Sequence, residues 1–465
     1  MNQKVDTAAF NFEAPMPLMN AIPLGLQHVL AMFVGNLTTL LIITGACGLA
    51  TAEFAELQIS LLQNAMLIAG VVTLLQLYSL GPVGGKVPII MGTSSGFIGV
   101  FHSVAASMGG GVIEDEIAYG AIMGASIIGG IFETVLGFFL KPLRGFFPPV
   151  VTGTVVLSIG LSLIAVGVNS FGGGATAKDF GSVENLCLGL FVLIVIMISK
   201  HSKNFMISSS SILVGIISGY FAAAIMGMVL PTTGVTAQGA TFVKSWVLNW
   251  DKVWAASWIA IPAFMPVPVV FDMRAILPVA VMFIVTAVET VGDISGVIVG
   301  GMDREATEEE LSGGVMCDGL GSSLAAIFGV LPNTSFSQNV GLVSMTKVVN
   351  RFALATGAIF LVLCGLIPKL AALVSMMPQA VLGGAAVMMF SSIVVSGIQL
   401  ITREPLTPRN LTIVSVALGL GYGIGANWGI LNHLPTYVQL IFGGSGIVPA
   451  AMVAIFLNAV LPAEK

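Results

Sequence analysis

The chain of 465 residues carries 17 Lys/Arg and 22 Asp/Glu, so charged side chains make up only 8% against 56% hydrophobic ones. Soluble domains hold about 25% charged residues, which excludes an ordinary soluble enzyme. A net charge of −5 with no basic tract excludes nucleic-acid binding, which needs clustered Lys and Arg to meet phosphates.

The first twenty residues are polar and carry Lys4, Asp6 and Glu13. The apolar run from Ile22 to Cys47 that follows is too long for a signal-peptide core and predicts a first membrane helix. Further apolar segments fall near 60–78, 93–108, 117–140, 147–168, 183–199 and 207–230. A wetter stretch, 231–275, separates these seven from seven more near 277–299, 313–330, 334–347, 353–374, 378–401, 411–426 and 434–461. Lys86, Lys141, Arg144, Lys200, Lys203, Arg304, Lys347, Arg351 and Arg403 all follow even-numbered spans, whereas Glu53, Glu56, Glu114, Asp115 and Glu116 follow odd ones. Lys and Arg stay on the cytoplasmic side during insertion, so both termini are expected in the cytoplasm of a multi-pass protein of the cytoplasmic membrane. Lys178, Lys244 and Lys252 are exceptions, each near acidic residues.

Seven spans per half force the halves into opposite orientation, as in transporters built from inverted repeats. A trace of the repeat survives: Pro148-Pro149-Val150-Val151-Thr152-Gly153 and Pro378-Gln379-Ala380-Val381-Leu382-Gly383 share Pro, Val and Gly at an offset of 230 residues. The expected fold is an all-α polytopic membrane protein of fourteen transmembrane segments in two inverted seven-helix repeats. Spans 3 and 10 are short and polar, opening Met91-Gly92-Thr93-Ser94-Ser95-Gly96-Phe97 and Pro332-Asn333-Thr334-Ser335-Phe336-Ser337-Gln338. Each fits a short strand followed by a half-helix lining a cavity; two kinked helices are the alternative.

Within span 8, Glu289 and Asp293 are spaced i, i+4 on one helix face. Intramembrane carboxylates mark ion, proton or substrate paths, and the plainer alternative is a polar contact to a neighbouring helix. Asp318 near the start of span 9 reads as a further functional acid or a helix cap, and His28 in span 1 as a tuning or a packing imidazole. Gln338 and Asn339 offer amide edges that complement a carbonyl/N–H edge of a heterocycle, or glue between helices. Trp246, Trp250, Trp254 and Trp258 step by four and predict an interfacial helix on the outer side. The run Phe171 to Lys178 reads as an extracellular turn. Cys47, Cys187, Cys317 and Cys364 lie far apart and the four His are not at metal spacing, so no disulfide, metal or cofactor is expected.

Gln338-Asn339-Val340-Gly341-Leu342-Val343-Ser344-Met345-Thr346-Lys347 resembles the signature Q/E-N-x-G-x-x-x-x-T-R/K/G of the nucleobase–ascorbate transporters. Gln27-His28, Glu289 to Asp293, Gly313 to Gly319 and the Phe171 to Gly174 turn extend the resemblance over nearly the whole chain. The resemblance implies a core domain (residues 1–140 and 276–375) working against a gate domain (141–275 and 376–465) in a homodimer within lipid. It implies symport of a nucleobase with protons, without a cofactor and without enzyme activity. Glu289 and Gln338 would hold the base, with Phe336, Ser337, Asn339, Ser94, Ser95 and Phe97 around it, and Glu289, Asp293, His28 and Asp318 would serve proton coupling. Gln rather than Glu at 338 points to the branch that carries xanthine and uric acid, and Ser94 matches acceptance of uric acid. A Phe is usual where this chain has Ser95, so ring stacking falls to Phe97 or Phe336. The alternatives are a uracil or other nucleobase carrier, an anion exchanger of the same architecture, an intramembrane enzyme and a passive channel. Glu289 and the Gln338-Asn339 pair count against the exchanger, and short loops with no ligand cluster against the enzyme.

Overall fold

The computed structural model describes residues 7–51, 53–108, 115–140, 144–174, 177–204, 207–208, 210–235, 240–443 and 446–462. The chain is mostly helical, its long apolar runs broken in many places by Pro, Gly or a hydroxyl residue, as at Pro148, Gly172, Ser182, Thr307 and Pro378. In order come α1 (Leu18–Ala46), α2 (Ala55–Tyr78), β1 (Met91–Thr93), α3 (Ile98–Met108), α4 (Asp115–Phe138), α5 (Pro149–Phe171), α6 (Val183–Lys200) and α7 (Ser211–Val229). They are followed by β2 (Thr233–Val235), β3 (Thr241–Val243), α8 (Asp251–Ala255), α9 (Met273–Met302), α10 (Glu308–Ile327), β4 (Asn333–Ser335) and α11 (Ser337–Thr346). The last are α12 (Arg351–Gly365), α13 (Pro368–Ser375), α14 (Gln379–Ile401), α15 (Pro408–Ala426), α16 (Thr436–Phe442) and α17 (Ile447–Val460).

Caps fix the helix starts. Thr307 and Glu310 form a reciprocal capping box at α10, and Asp272, Asn350 and Thr407 each accept a first-turn N–H at α9, α12 and α15. Pro148 and Pro378 stand at equivalent places before α5 and α14, the pair of segments in which the sequence repeat is visible.

Among the described residues eight helices are long and apolar enough to cross a bilayer: α1, α2, α4, α5, α6, α7, α9 and α14. The run expected as one span at 353–374 is broken into α12 and α13, bent by 85°, at Pro368, whose ring removes a backbone donor. The run at 434–461 is likewise divided into α16 and α17. The outer faces of α6 and α7 expose Leu190, Ile198, Phe221 and Met228, the surface that a lipid environment accepts and water does not.

The helices pack in two groups, α1 to α4 with α9 to α13, and α5 to α7 with α14, α15 and α17. The second group is centred on α5 against α14, which run antiparallel at backbone contact. A Cβ on Gly383 would lie 1.9 Å from Phe171 N, so only glycine permits the approach. The groups meet where α9 lies on α5 and α11 on α14.

The tryptophan stripe is not a helix. Only Asp251–Ala255 is helical in that stretch, Trp246 is fully buried with Lys244 over its ring, and Trp254 and Trp258 are 75% and 74% exposed. Pro262, Pro266 and Pro268 interrupt any helical continuation. The extended chain beyond is tied to the first group by Met265 N donating to Ile327 O and Val270 N donating to Gly120 O.

Candidate functional site

The two glycine- and serine-rich openings of the half-helices come together at the middle of the first group. β1 and β4 pair antiparallel, with Met91 opposite Ser335, Gly92 opposite Thr334 and Thr93 opposite Asn333, and every one of these residues is buried. Extended backbone at membrane depth must find its partners inside the protein. Met91 N donates to Thr73 Oγ1 (2.9 Å) and Thr93 N to Asn36 Oδ1 (2.7 Å). On the other strand Asn333 N donates to Ser322 Oγ (3.1 Å) and Ser335 N to Asp318 Oδ2 (3.4 Å). Side chains of α1, α2 and α10 thus close the edges of the ribbon. Gly92 admits the ribbon against α1, since a Cβ there would lie 2.5 Å from Met32 Cε.

Each strand runs directly into a helix: β1 into a 3-10 turn, Ser95–Phe97, and α3, and β4 into α11. First-turn N–H groups lack intrahelical acceptors and carry the positive end of the helix dipole, so the two starts favour acceptor groups beside the ribbon.

Across from them α9 presents Thr286, Glu289, Thr290 and Asp293, at i, i+3, i+4 and i+7, as one buried polar stripe. Ser337 Oγ lies 3.0 Å from Glu289 Oε1 and 2.9 Å from Asp293 Oδ2. Ser335 Oγ lies 2.8 Å from the same Asp293 oxygen and 3.2 Å from Thr290 Oγ1, which in turn donates to Asp318 Oδ2. Glu289 Oε2 has no partner among the described residues and lies 3.7 Å from the point where a Cβ on Gly96 would stand, beside the start of the 3-10 turn. A fourth acid, Glu133 of α4, is fully buried and accepts from Thr286 Oγ1 at 3.1 Å. Among the described residues none of the four acids forms an ion pair. A carboxyl buried without a cation is costly to keep charged, and inside a membrane such an acid marks an ion, proton or substrate path.

The family profile described as a permease family matches residues 19–428, a span that contains the whole ribbon and the acid stripe. The chain belongs to this family, the nucleobase–ascorbate transporters. Among its permease relatives, the xanthine permease XanQ of Escherichia coli strain K12 is 33% identical over 459 residues, covering 97% of this chain and 93% of that one. The xanthine permease of Bacillus subtilis strain 168 is 34% identical over 449 residues, covering 94% and 93%. The transmembrane domain of the cyanobacterial bicarbonate transporter BicA shares the fold at a TM-score of 0.54 and 16% identity, covering 95% of this chain and 98% of that one. The murine anion transporter Slc26a9 in its inward-facing state does so at 0.58 and 10%, covering 97% and 69%. As a member of a permease family the chain is a membrane transporter and not an enzyme.

In this permease the residues singled out in the sequence fall close together. Glu289, Asp293, Asp318 and Ser337 share the hydroxyl network described above. His28 Nδ1 lies 2.7 Å from Asn339 Oδ1, both buried, leaving His28 Nε2 and Asn339 Nδ2 without partners among the described residues. Ser94 is buried and Ser95 partly so. Gln338 stands in the first turn of α11, but its side chain lies outside those the structure describes. Phe97 is fully buried on Phe101 and Phe283, with ring centroids 5.2 and 4.7 Å apart, and Phe336, 7% exposed, lies where Cβ atoms on Gly35 and Gly92 would stand. Asp318 is no helix cap: α10 begins ten residues earlier under Thr307, and the acid sits mid-helix.

Several members of the network are not singled out in the sequence. Glu133 carried the same signal as Glu289, an acid inside an apolar span. Asn36, Thr73, Ser322, Thr290 and Ser335 carried none, because a mid-span hydroxyl or amide reads equally well as helix packing.

Proposed function

We propose that this permease is a proton-coupled symporter of a purine nucleobase, xanthine or uric acid, in the cytoplasmic membrane. The observation that carries the reading is Glu289, buried to 6% exposure with one oxygen held by Ser337 and the other without a partner, beside the start of a half-helix. A planar, uncharged ring with alternating donors and acceptors matches such an acid when an amide faces it. In this reading Glu289 and Gln338 bind the base, and Ser94, Ser95, Ser337 and Asn339 complete its polar surroundings. Phe336 supplies the aromatic contact, and Phe97 backs the pocket. Proton exchange at Glu289, Asp293 and Asp318, tuned by His28, couples uptake to the proton gradient. The names of the relatives, which are xanthine permeases, support a purine over uracil.

The same proposal assigns fourteen spans in two inverted repeats, with both termini cytoplasmic. Residues 1–140 and 276–375 form a core that moves against a gate of 141–275 and 376–465, in a homodimer. The test is uptake of labelled xanthine and uric acid into proteoliposomes, with uracil as competitor, with and without an inward proton gradient. Gradient-stimulated purine uptake that uracil does not compete supports the reading. Strong uracil uptake without purine uptake moves the chain to another nucleobase, and competition by bicarbonate or sulfate moves it to anion exchange.

A further inference from the structure

The contacts around the acid stripe form one unbranched chain, Glu289 to Ser337 to Asp293 to Ser335 to Thr290 to Asp318. It has five links, and each link needs one proton to be a hydrogen bond. The three hydroxyls supply one each, so two of the three carboxyls must be protonated for the chain to be complete, and one is left charged. That count suits three buried acids that form no ion pair among the described residues, a site that tolerates little net charge.

The chain has more than one arrangement. With the charge on Asp293, Glu289 donates to Ser337, which donates to Asp293, while Asp318 donates to Thr290, Thr290 to Ser335 and Ser335 to Asp293. If Asp293 gains a proton from Ser337 and Ser337 gains one from Glu289, the charge has moved to Glu289, the two links between them have reversed direction and the other three are unchanged. The same exchange through Ser335 and Thr290 carries the charge to Asp318. Each hydroxyl gives a proton on one side and receives one on the other, so one proton moves between carboxyls and nothing else changes. Both ends are open: Glu289 Oε2 and Asp318 Oδ1 are buried and without partners among the described residues.

We propose that Ser337, Ser335 and Thr290 form a hydroxyl relay that passes a proton between the substrate-side acid Glu289 and Asp318, twenty-nine residues further along the chain on α10. The relay rests on the proton-coupled reading above and extends it beyond the base's polar surroundings to Ser335 and Thr290. The other ionisable groups near it are Glu133 from α4, through Thr286 on the same stripe, Cys317 beside Asp318 on α10, His28 from α1, which is turned to Asn339, and Arg403, whose guanidinium lies against α9 at Gly296, one turn beyond Asp293. Asp318 also touches the ribbon directly, accepting from Ser335 N.

The test uses the full chain in proteoliposomes with Ser335→Ala and Thr290→Val, which remove a hydroxyl at near-constant volume, and Ser335→Thr and Thr290→Ser, which keep it. Two readouts are taken: accumulation of labelled xanthine under an inward proton gradient, and counterflow, which cycles the loaded carrier without net proton release. The hydroxyl-free variants are expected to lower the accumulation ratio by about tenfold or more, the effect of about 1.4 kcal/mol on an equilibrium, while counterflow persists and the hydroxyl-keeping variants accumulate as the parent does. Parent-like accumulation in Ser335→Ala and Thr290→Val overturns the relay. So does equal loss in all four variants, which means shape and not the hydroxyl matters. A parent that binds and exchanges xanthine but ignores the gradient overturns the proton-coupled reading itself, and is told apart because it fails before any variant is compared.

Discussion

Glu289 has one oxygen on Ser337 and the other without a partner among the described residues, and the proposed meeting of substrate and proton rests on these two environments. Glu289→Gln keeps the shape and a hydrogen-bonding group but fixes the proton count, so concentrative uptake is expected to fall by about tenfold or more; parent-level accumulation of xanthine under a proton gradient refutes the role. Gln338→Glu replaces an amide that both donates and accepts by an acceptor, and is expected to raise uracil uptake relative to xanthine, measured as the ratio of initial rates; an unchanged ratio places recognition elsewhere. The acids Glu289, Asp293 and Asp318 were legible in the sequence because a carboxyl in an apolar run is costly wherever it points. Of their hydroxyl partners Ser337 was legible in the strand-to-helix opening, whereas Thr290 and Ser335 were not, since they gain meaning only from what lies opposite them in space.

At the scale of elements, the β1–β4 ribbon is held by side chains from three helices rather than by a sheet. Asn36→Leu leaves Thr93 N without an acceptor in a buried place, which costs about 1–3 kcal/mol. A lower melting temperature of the purified chain, with Thr73→Val giving a similar loss at Met91 N, is the expected result, and an unchanged melt shows that the ribbon finds another partner. Gly92→Val drives a side chain into Met32, an overpacking expected to cost about 1–3 kcal/mol and to weaken xanthine binding; parent-like stability and binding in the variant refute the tight fit. The helices themselves were legible from apolar runs of the right length. The breaks at Pro368 and between α16 and α17 were less so, because hydropathy averages over a bend, and the tryptophan period of four imitated a helix that the following prolines prevent.

At the scale of the whole molecule, the two packed groups touch through α9 on α5, α11 on α14 and α1 on α7, so the acid stripe lies on a helix that borders the second group. A disulfide engineered between α9 and α5 is expected to stop uptake reversibly, with activity returning on reduction, if transport needs the groups to slide; oxidised protein that still transports refutes that motion. The proposed inverted arrangement has only a faint trace in the sequence, the Pro, Val and Gly shared at the starts of α5 and α14, because lipid-facing positions accept many apolar residues and would erase the record of a duplication.

The ribbon also sets a condition on how the protein is made. β1 belongs to the first half of the chain and β4 to the second, so at about 5–20 residues per second of synthesis the Met91–Thr93 segment waits on the order of 10–50 s for its partner. During that time Met91 N and Thr93 N have Thr73 and Asn36 of the same half as acceptors, but Ser94 N and Ile90 O lack Pro332 O and Phe336 N, their partners from the second half. A nascent chain stalled before Asn333 therefore presents the cell with a recognisable lesion, a polar wound inside the membrane, and the permease becomes durable only when its second half arrives to close it.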